Sequence, residues 1–397
     1  MKRAISLITV LCVTLSSMLS VSASGNSNLS APDPVDEIID SLDPDTYGGV
    51  YIRDDGKTCI TVIDSKLVES KVNRATTGLR SALKADKVEI VYESATFSRQ
   101  QLTDAKEDLL KRQEELNITA VGFEDSKNAL AIFVPKVTEE AKSTISAATP
   151  IKNLEFFEDG FLISSFKEEE LKEETTEAPQ DTLNTLDSNA LSSLTVKGGN
   201  WISNTRGGEW ASLGYAVNYY GSSSTPIKGY ITCAHGFGSK GSSIYYGNSL
   251  LGTVENRIRD TKVDALFIKS SATWGGMRDR TLKATGAIGA KSKQKIYMVG
   301  AASGNLKSGT IIATDVAGKW NDGNGNVQKH EDLFAFDFQP IHGDSGSALF
   351  VKTSGGKYKI AGLTVGQNPD DDGKLTHGAG CKWTNIIREM DVEIRNS

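Results

Sequence analysis

The chain of 397 residues carries 44 Lys+Arg against 50 Asp+Glu, a net charge of −6, and 38% of it is hydrophobic. That length exceeds one ordinary hydrophobic core, so two domains are expected. Four cysteines exclude a fold built on disulfides, and a chain of this charge is not expected to take nucleic acid as a partner.

Lys2 and Arg3 open the chain, Ala4 to Leu19 is apolar with interspersed Ser and Thr, and Val21-Ser22-Ala23 offers small residues for cleavage. This pattern is a secretory signal peptide over residues 1–23, its apolar run too short and interrupted for a membrane anchor. Cys12 lies inside it without the preceding small residue that a lipid-modified cysteine needs. An exported, extracellular protein without stable membrane anchoring is expected.

Residues 24–165 mix helical and strand patterns, a small α+β domain. Val88, Ile90 and Tyr92 alternate as in a strand, and Ser98 to Gln101 forms a capping-box pattern. The helix it opens puts Leu102, Ala105, Leu109 and Leu116 on one face. Ala129 to Val134 is a short apolar strand stopped by Pro135, and a strand pair is expected around Asp159-Gly160. Residues 166–195, with Glu168-Glu169-Glu170, Glu173-Glu174, Pro179 and a Ser/Thr/Asn-rich tail, indicate an acidic linker open to proteases.

From Val196 to the C-terminus short strands, among them Ala211–Tyr220, Lys228–Cys233, Lys295–Val299 and Thr310–Thr314, alternate with Gly, Asn, Ser and Asp, as in an all-β barrel or sandwich. Residues 196–397 hold 24 Lys+Arg against 17 Asp+Glu, and residues 24–195 hold 18 against 33. Either the acids belong to a solvated linker, or the acidic first half docks on the mildly basic second half. Cys233 and Cys381 either pair or stay as buried thiols. No Cys/His cluster has metal-ligand spacing, so neither a metal nor another cofactor is expected.

Gly343-Asp344-Ser345-Gly346-Ser347 puts a serine between glycines, in a short break between apolar segments. A serine hydroxyl becomes reactive with a base beside it and backbone donors facing its substrate. His235 stands at a strand end in Thr232-Cys233-Ala234-His235-Gly236, and Asp264 starts the apolar strand Val263–Ile268. Taken singly, such a histidine is more often a satisfied structural side chain, and such an aspartate often caps a turn. Their order along the chain is His235, Asp264, Ser345, the order of one of the known serine triads.

With Gly198-Gly199-Asn200-Trp201-Ile202 near the start of the second half and Gly362-Leu363-Thr364-Val365-Gly366 near its end, these motifs resemble the chymotrypsin-like serine proteases. The branch is that of the small secreted bacterial enzymes typified by streptogrisins and α-lytic protease, and about half the chain is covered. Tyr47-Gly48-Gly49-Val50-Tyr51 in the first half is similar to their pro-regions. The resemblance implies an all-β catalytic domain of two six-stranded antiparallel β-barrels over residues 196–397. An α+β pro-domain would precede it and act as intramolecular chaperone and inhibitor of a monomeric zymogen. It implies Ser345 as nucleophile, His235 as general base and acid, and Asp264 as the holder of the imidazole. The Gly343 and Ser345 N–H groups would form the oxyanion hole, and protein or peptide substrates would contact Gln339, His342, Thr364, Val365 and Gly366. Asp344 would brace the loop by pairing with a buried donor.

The chain departs from the pattern at three points. Gly236 stands where many relatives have a cysteine, and Ser347 stands where a second glycine is common. Val365 stands where relatives have a serine beside the aspartate, with Thr364 next to it. No acid lies at the expected base of the S1 pocket, so a Lys/Arg preference is not supported. His342 and His377 either bind an acidic P1 side chain or are surface residues, and Asp370-Asp371-Asp372 is either an exposed loop or a selector of basic subsites. The competing reading is a non-catalytic secreted binding protein that retains the protease fold.

Overall fold

The computed structural model describes residues 33–85, 88–158, 194–221, 223–321, 327–367 and 377–395. The signal segment, residues 166–193 of the linker, the Asp159-Gly160 turn and Asp370-Asp371-Asp372 lie outside the described residues.

Residues 33–158 build two small layers, each with its own core. Helix α1 (Pro34–Asp40) starts on Asp33, whose side chain accepts a hydrogen bond from Val35 N at 2.9 Å, with proline at the first helical position. Strands β1 (Tyr47–Ile52) and β2 (Thr58–Val62) pair antiparallel. Helix α2 (Ser65–Ala85) then crosses over so that β3 (Ile90–Ser94) can pair parallel to β2. Val35, Ile38, Val50, Ile60 and Val68 fill this core.

The second layer begins with α3 (Arg99–Lys111), closed by the expected capping box: Gln101 N donates to Ser98 Oγ at 3.2 Å, and Ser98 N to Gln101 Oε1 at 2.9 Å. Strand β4 (Ala120–Glu124) pairs antiparallel with β5 (Ala129–Val134). Helix α4 (Glu139–Ala147) then returns the chain to β6 (Leu154–Glu158), parallel to β5. Leu102, Leu109, Val121, Leu130 and Ile132 are buried between α3 and this sheet. Full burial of each such side chain is worth about 1.5–3 kcal/mol.

The second half is β-rich. Its early strands are β7 (Thr195–Gly198), β8 (Trp201–Ile202), β9 (Ala211–Ser212), β10 (Tyr215–Tyr219), β11 (Ile227–Thr232), β12 (Ser243–Tyr246), β13 (Ser249–Arg259) and β14 (Asp264–Lys269). The chain continues through β15 (Thr273–Met277), β16 (Ala284–Ala287), β17 (Lys295–Val299), β18 (Leu306–Asn321), β19 (Val327–Phe336), β20 (Ala348–Lys352), β21 (Tyr358–Gln367) and β22 (Gly378–Lys382). It ends in α5 (Trp383–Met390) and β23 (Val392–Ile394).

One six-stranded sheet has the order β12-β13-β14-β11-β10-β23, so the last strand of the chain returns to the first half of this region. In the other, β17-β20-β21-β22-β19-β18 is followed by a pairing of β18 back onto β17, which closes a ring of six antiparallel strands. Among the described residues this closure is made in the second sheet, while the named pairings leave the first as an open path.

Strand β18 joins the two halves of the molecule. Its first residues close the ring on β17, and its remainder pairs with β19 on one edge and with β4 on the other. Thr314 lies opposite Phe123 and Gly318 opposite Ala120, so β4-β5-β6 extends the ring's sheet outward. Acids of the first half meet lysines of the second at this junction. Asp33 Oδ2 lies 2.7 Å from Lys359 Nζ, and Asp36 Oδ1 lies 2.6 Å from Lys291 Nζ. Arg99 holds Asp125 at 2.6 Å, and Thr314 Oγ1 donates to the other Asp125 oxygen at 2.9 Å. Of the two readings of the charge split, these contacts carry the docking one.

Candidate active site

The apolar run of β11, buried from Gly229 to Thr232, delivers Cys233, Ala234 and His235 to the end of the first sheet. Next to it, β14 begins on Asp264, and Leu266 of that strand pairs with Thr232. The register thus places Asp264 below the turn that carries His235. Both side chains are buried, at 2% and 3% exposure.

The Asp264 carboxylate is used on both oxygens. Oδ2 lies 2.6 Å from His235 Nδ1, and Oδ1 accepts from Ala234 N at 2.6 Å and His235 N at 2.9 Å. A carboxylate cannot donate, so Nδ1 carries the hydrogen, and in the neutral ring Nε2 keeps its lone pair. Burial alone would lower the imidazole pKa, but the adjacent Asp264 carboxylate outweighs it and the net shift is upward. Burial alone would raise Asp264; the imidazole and the backbone donors hold it well below the usual carboxylate range. Such an imidazole can take a proton at Nε2.

The Gly343–Ser347 turn is pressed against the same strand end. Ser212 N donates to Ser345 O at 2.9 Å, and Gly346 N donates to Thr364 O at 2.8 Å. Gly346 sits at φ +83°, where a Cβ would overlap Thr232 Oγ1 and crowd Cys233 N. Gly343 sits at φ +97°, with the Trp201 ring filling the space a side chain would need. Both positions are closed to other residues by conformation and by space.

Around this turn the backbone donors divide into two groups. Asp344 N donates to Ile341 O, Gly346 N to Thr364 O, and Ser347 N to Asp344 O. Among the described residues the N–H groups of Gly343 and Ser345 have no such acceptor. Two unclaimed donors flanking a serine can receive an oxyanion. Asp344 is fully buried under the turn, accepting from Ser303 N at 2.9 Å, from Ile341 N at 3.0 Å and from Ser303 Oγ.

One contact expected of such a triad is open. His235 Nε2 is buried without a hydrogen-bond partner, so no bond from Ser345 Oγ closes the His235–Ser345 contact in this conformation. Among the described residues no hydroxyl bonds Asp264, which is the alternative of an aspartate without that support: Thr364 Oγ1 is directed at Met298 Sδ, 3.1 Å away, and Val365 is buried in the core. The two backbone N–H groups of Ala234 and His235 take the place of that hydroxyl.

The segments expected to contact substrate are spread over the surrounding strands. Gln339 is half-buried and His342 is exposed in the stretch before the turn. Thr364 is committed to the turn, giving its N to Ser347 O and its O to Gly346 N. Val365 lies in the irregularity between the Thr364–Gly380 and Gly366–Ala379 pairs of β21 and β22. His377 packs its ring edge-on to Phe157 of β6, at 5.8 Å. The three cysteines among the described residues are free: Cys381 Sγ contacts Lys262 O at 3.1 Å, and Cys233 Sγ lies 3.7 Å from His235 O.

Sequence reasoning missed Ser212, whose Oγ donates to Gly343 O at 2.8 Å and accepts from Ala301 N at 2.8 Å. It also missed Arg257, Arg259 and His330, which stand close enough to the buried pair to act on its charge. His330 is itself buried, and burial pushes its pKa down to about 4.

No protein-family model and no curated protein matches the chain. Among solved structures it is similar to a Nocardiopsis protease, at 19% identity over 51% of this chain and 99% of that one, TM-score 0.40. It is similar to a Cellulomonas bogoriensis chymotrypsin at 20% identity, covering 51% and 100%, TM-score 0.39. A glutamic acid specific serine protease that uses a histidine triad in substrate binding is 21% identical, covering 50% and 100%, TM-score 0.41. Each of these is a likeness of half the chain.

Proposed function

We propose that the chain is a secreted serine endopeptidase made as an inactive precursor. The observation that carries this reading is the buried His235–Asp264 pair, 2.6 Å apart, beside a glycine-flanked serine turn with two unclaimed N–H groups. In the reaction, Ser345 Oγ attacks a peptide carbonyl as His235 Nε2 takes its proton. The carbonyl oxygen, now negative, is received by Gly343 N and Ser345 N. His235 then delivers the proton to the leaving amine, and water repeats the sequence on the acyl-enzyme. Asp264 keeps Nδ1 protonated and stabilises the imidazolium. Catalytic hydrogen bonds are often open without substrate and close when it binds, so the Ser345–His235 bond forms in the complex.

Residues 196–397 are the protease domain of this reading, a two-barrel arrangement in which the first six-stranded sheet curls over its own core. Residues 24–165 are the pro-domain, joined through 166–195. Its support is the junction already described: the β4–β18 pairing and the Asp33–Lys359 and Asp36–Lys291 pairs. These contacts template the strand β18 on which the ring closes, and β6 reaches His377 beside the expected substrate-binding strands.

The second reading, a non-catalytic secreted binding protein with the same fold, draws on the unpartnered His235 Nε2. Cleavage of a mixed peptide library by the purified chain, after proteolysis within residues 166–195, separates the two. The endopeptidase reading expects internal cleavage that is lost in Ser345→Ala; intact peptides across the whole library would overturn it.

A further inference from the structure

We infer that Arg257 and Arg259 form a carboxylate-binding subsite beside the candidate centre, selecting peptides with Asp or Glu close to the cleaved bond. The inference rests on the endopeptidase reading and names its substrate class.

The two arginines alternate along β13, and the antiparallel register sets Arg259 opposite Asp264 and Arg257 opposite Leu266. Residues two apart on a strand share a face, and directly opposed residues share it too. Both side chains therefore leave the sheet on the face that carries Asp264 and His235. Arg257 Nε donates to Ala234 O at 3.3 Å, one residue before His235. Arg259 Nη2 reaches across to Gln328 Oε1 of β19 at 3.2 Å, which puts it at the junction between the two sheets. His330, two residues along β19, lies near enough to both Arg259 and Asp264 to act on their charges.

Among the described residues neither of these two cations holds a carboxylate, whereas Arg99, Lys291, Lys359 and Lys382 each do. Arg395 also lacks an ion pair among them, but it lies over the Tyr230 ring, away from the candidate centre. Among the described residues Arg257 and Arg259 make no ion pair, although both are half-buried. Arg259 Nε is buried with no acceptor at all. Asp264 does not serve, because its oxygens are taken by His235 and two backbone N–H groups. A guanidinium N–H buried without an acceptor is unfavourable, and a planar carboxylate is the acceptor that its fork fits. A peptide lying against Ser345 and His235 brings its side chains to this face, and an acidic one supplies the missing partner.

The test uses Ser345→Ala proteolysed within residues 166–195, which binds peptides without cutting them, and fluorescent peptides identical except for Glu or Gln at each position in turn. Anisotropy titration is expected to show one position where Glu binds roughly ten- to a hundred-fold more tightly than Gln, the size of a hydrogen bond to a charged group. Arg259→Met and Arg257→Met should each shrink that ratio, Arg259→Lys should retain part of it, and rising salt should weaken it. Using the Glu/Gln ratio removes any general loss from disturbing the turn at Ala234. Equal binding of Glu and Gln peptides at every position would overturn the inference, as would a preference untouched by either arginine substitution. The parent chain, proteolysed within residues 166–195 and assayed with the same peptides, separates the two levels. Cleavage without acid preference sinks only the subsite, whereas binding without cleavage sinks the endopeptidase reading and leaves the subsite standing.

Discussion

Replacing Asp264 by Asn isolates the part of the site that the structure defines best. The carboxylate accepts three hydrogen bonds: two from the backbone N–H groups of Ala234 and His235, and one at Nδ1. Asn has the same shape but only one acceptor oxygen. The two N–H groups at 2.6 and 2.9 Å will claim that oxygen, because turning the amide would set its NH2 against two donors. The amide NH2 then faces Nδ1, which must become the acceptor, and the ring's hydrogen moves to Nε2. The base is thereby disabled without loss of bulk. The same change in the triad of known serine proteases lowers kcat by about 10⁴, and that is the loss expected here. It corresponds to about 5.5 kcal/mol of transition-state stabilisation. The assay is steady-state hydrolysis of a peptide ester and a peptide amide, with thermal unfolding as control. A Tm within a few degrees of the parent together with a kcat loss near 10⁴ supports the account. An Asn variant that keeps activity within tenfold of the parent would refute the tautomer argument.

Further outcomes follow from the same geometry. Gly343→Ala puts a Cβ at φ +97° into the Trp201 ring, so about 1–2 kcal/mol of backbone strain adds to the overlap. A lowered Tm and lost hydrolysis are expected, and an unchanged pair of values would contradict the turn geometry. Asp33→Asn removes the carboxylate charge facing the buried Lys359 ammonium and should cost about 3 kcal/mol in denaturant unfolding, partly restored by Lys359→Met. Strictly additive effects of the two substitutions would count against the pair. Hydrolysis needs the neutral imidazole, and Asp264 raises its pKa, so the rising limb of kcat/KM against pH should lie above the value of about 6.5 for an ordinary histidine. In Asp264→Asn that limb should move to lower pH; an unmoved limb would mean that another group titrates.

Much of this was legible in the sequence where local pattern and structure agree. The Ser98–Gln101 capping box, β5 and β17 fall where the sequence puts them, since each rests on neighbouring residues alone. Helix α2 escaped notice: its polar sequence buries only Val68 and Val72 among its described side chains, too narrow an apolar face to stand out. Ala211–Tyr220, read as one strand, breaks into β9 and β10, because Gly214 packs closely against the backbone of Ile231 and Gly346. The Thr310–Thr314 strand is the middle of the much longer β18, whose length reflects pairing with three partners that no local pattern reveals. Likewise His235, Asp264 and the Gly343–Ser347 turn could be picked out by residue type and order. Ser212, Ser303 and the arginines of β13 could not, because their roles exist only through contacts distant in sequence.

The central claim is that Ser345 is a nucleophile activated by His235. Its most direct test is labelling of the full-length chain with a fluorophosphonate, before and after the N-terminal half is proteolysed away, with the adduct located by mass spectrometry. The account predicts a single adduct on Ser345, stronger after the N-terminal half is removed and absent in His235→Ala. Labelling of the same extent in Ser345→Ala, or an adduct on another residue, would contradict it.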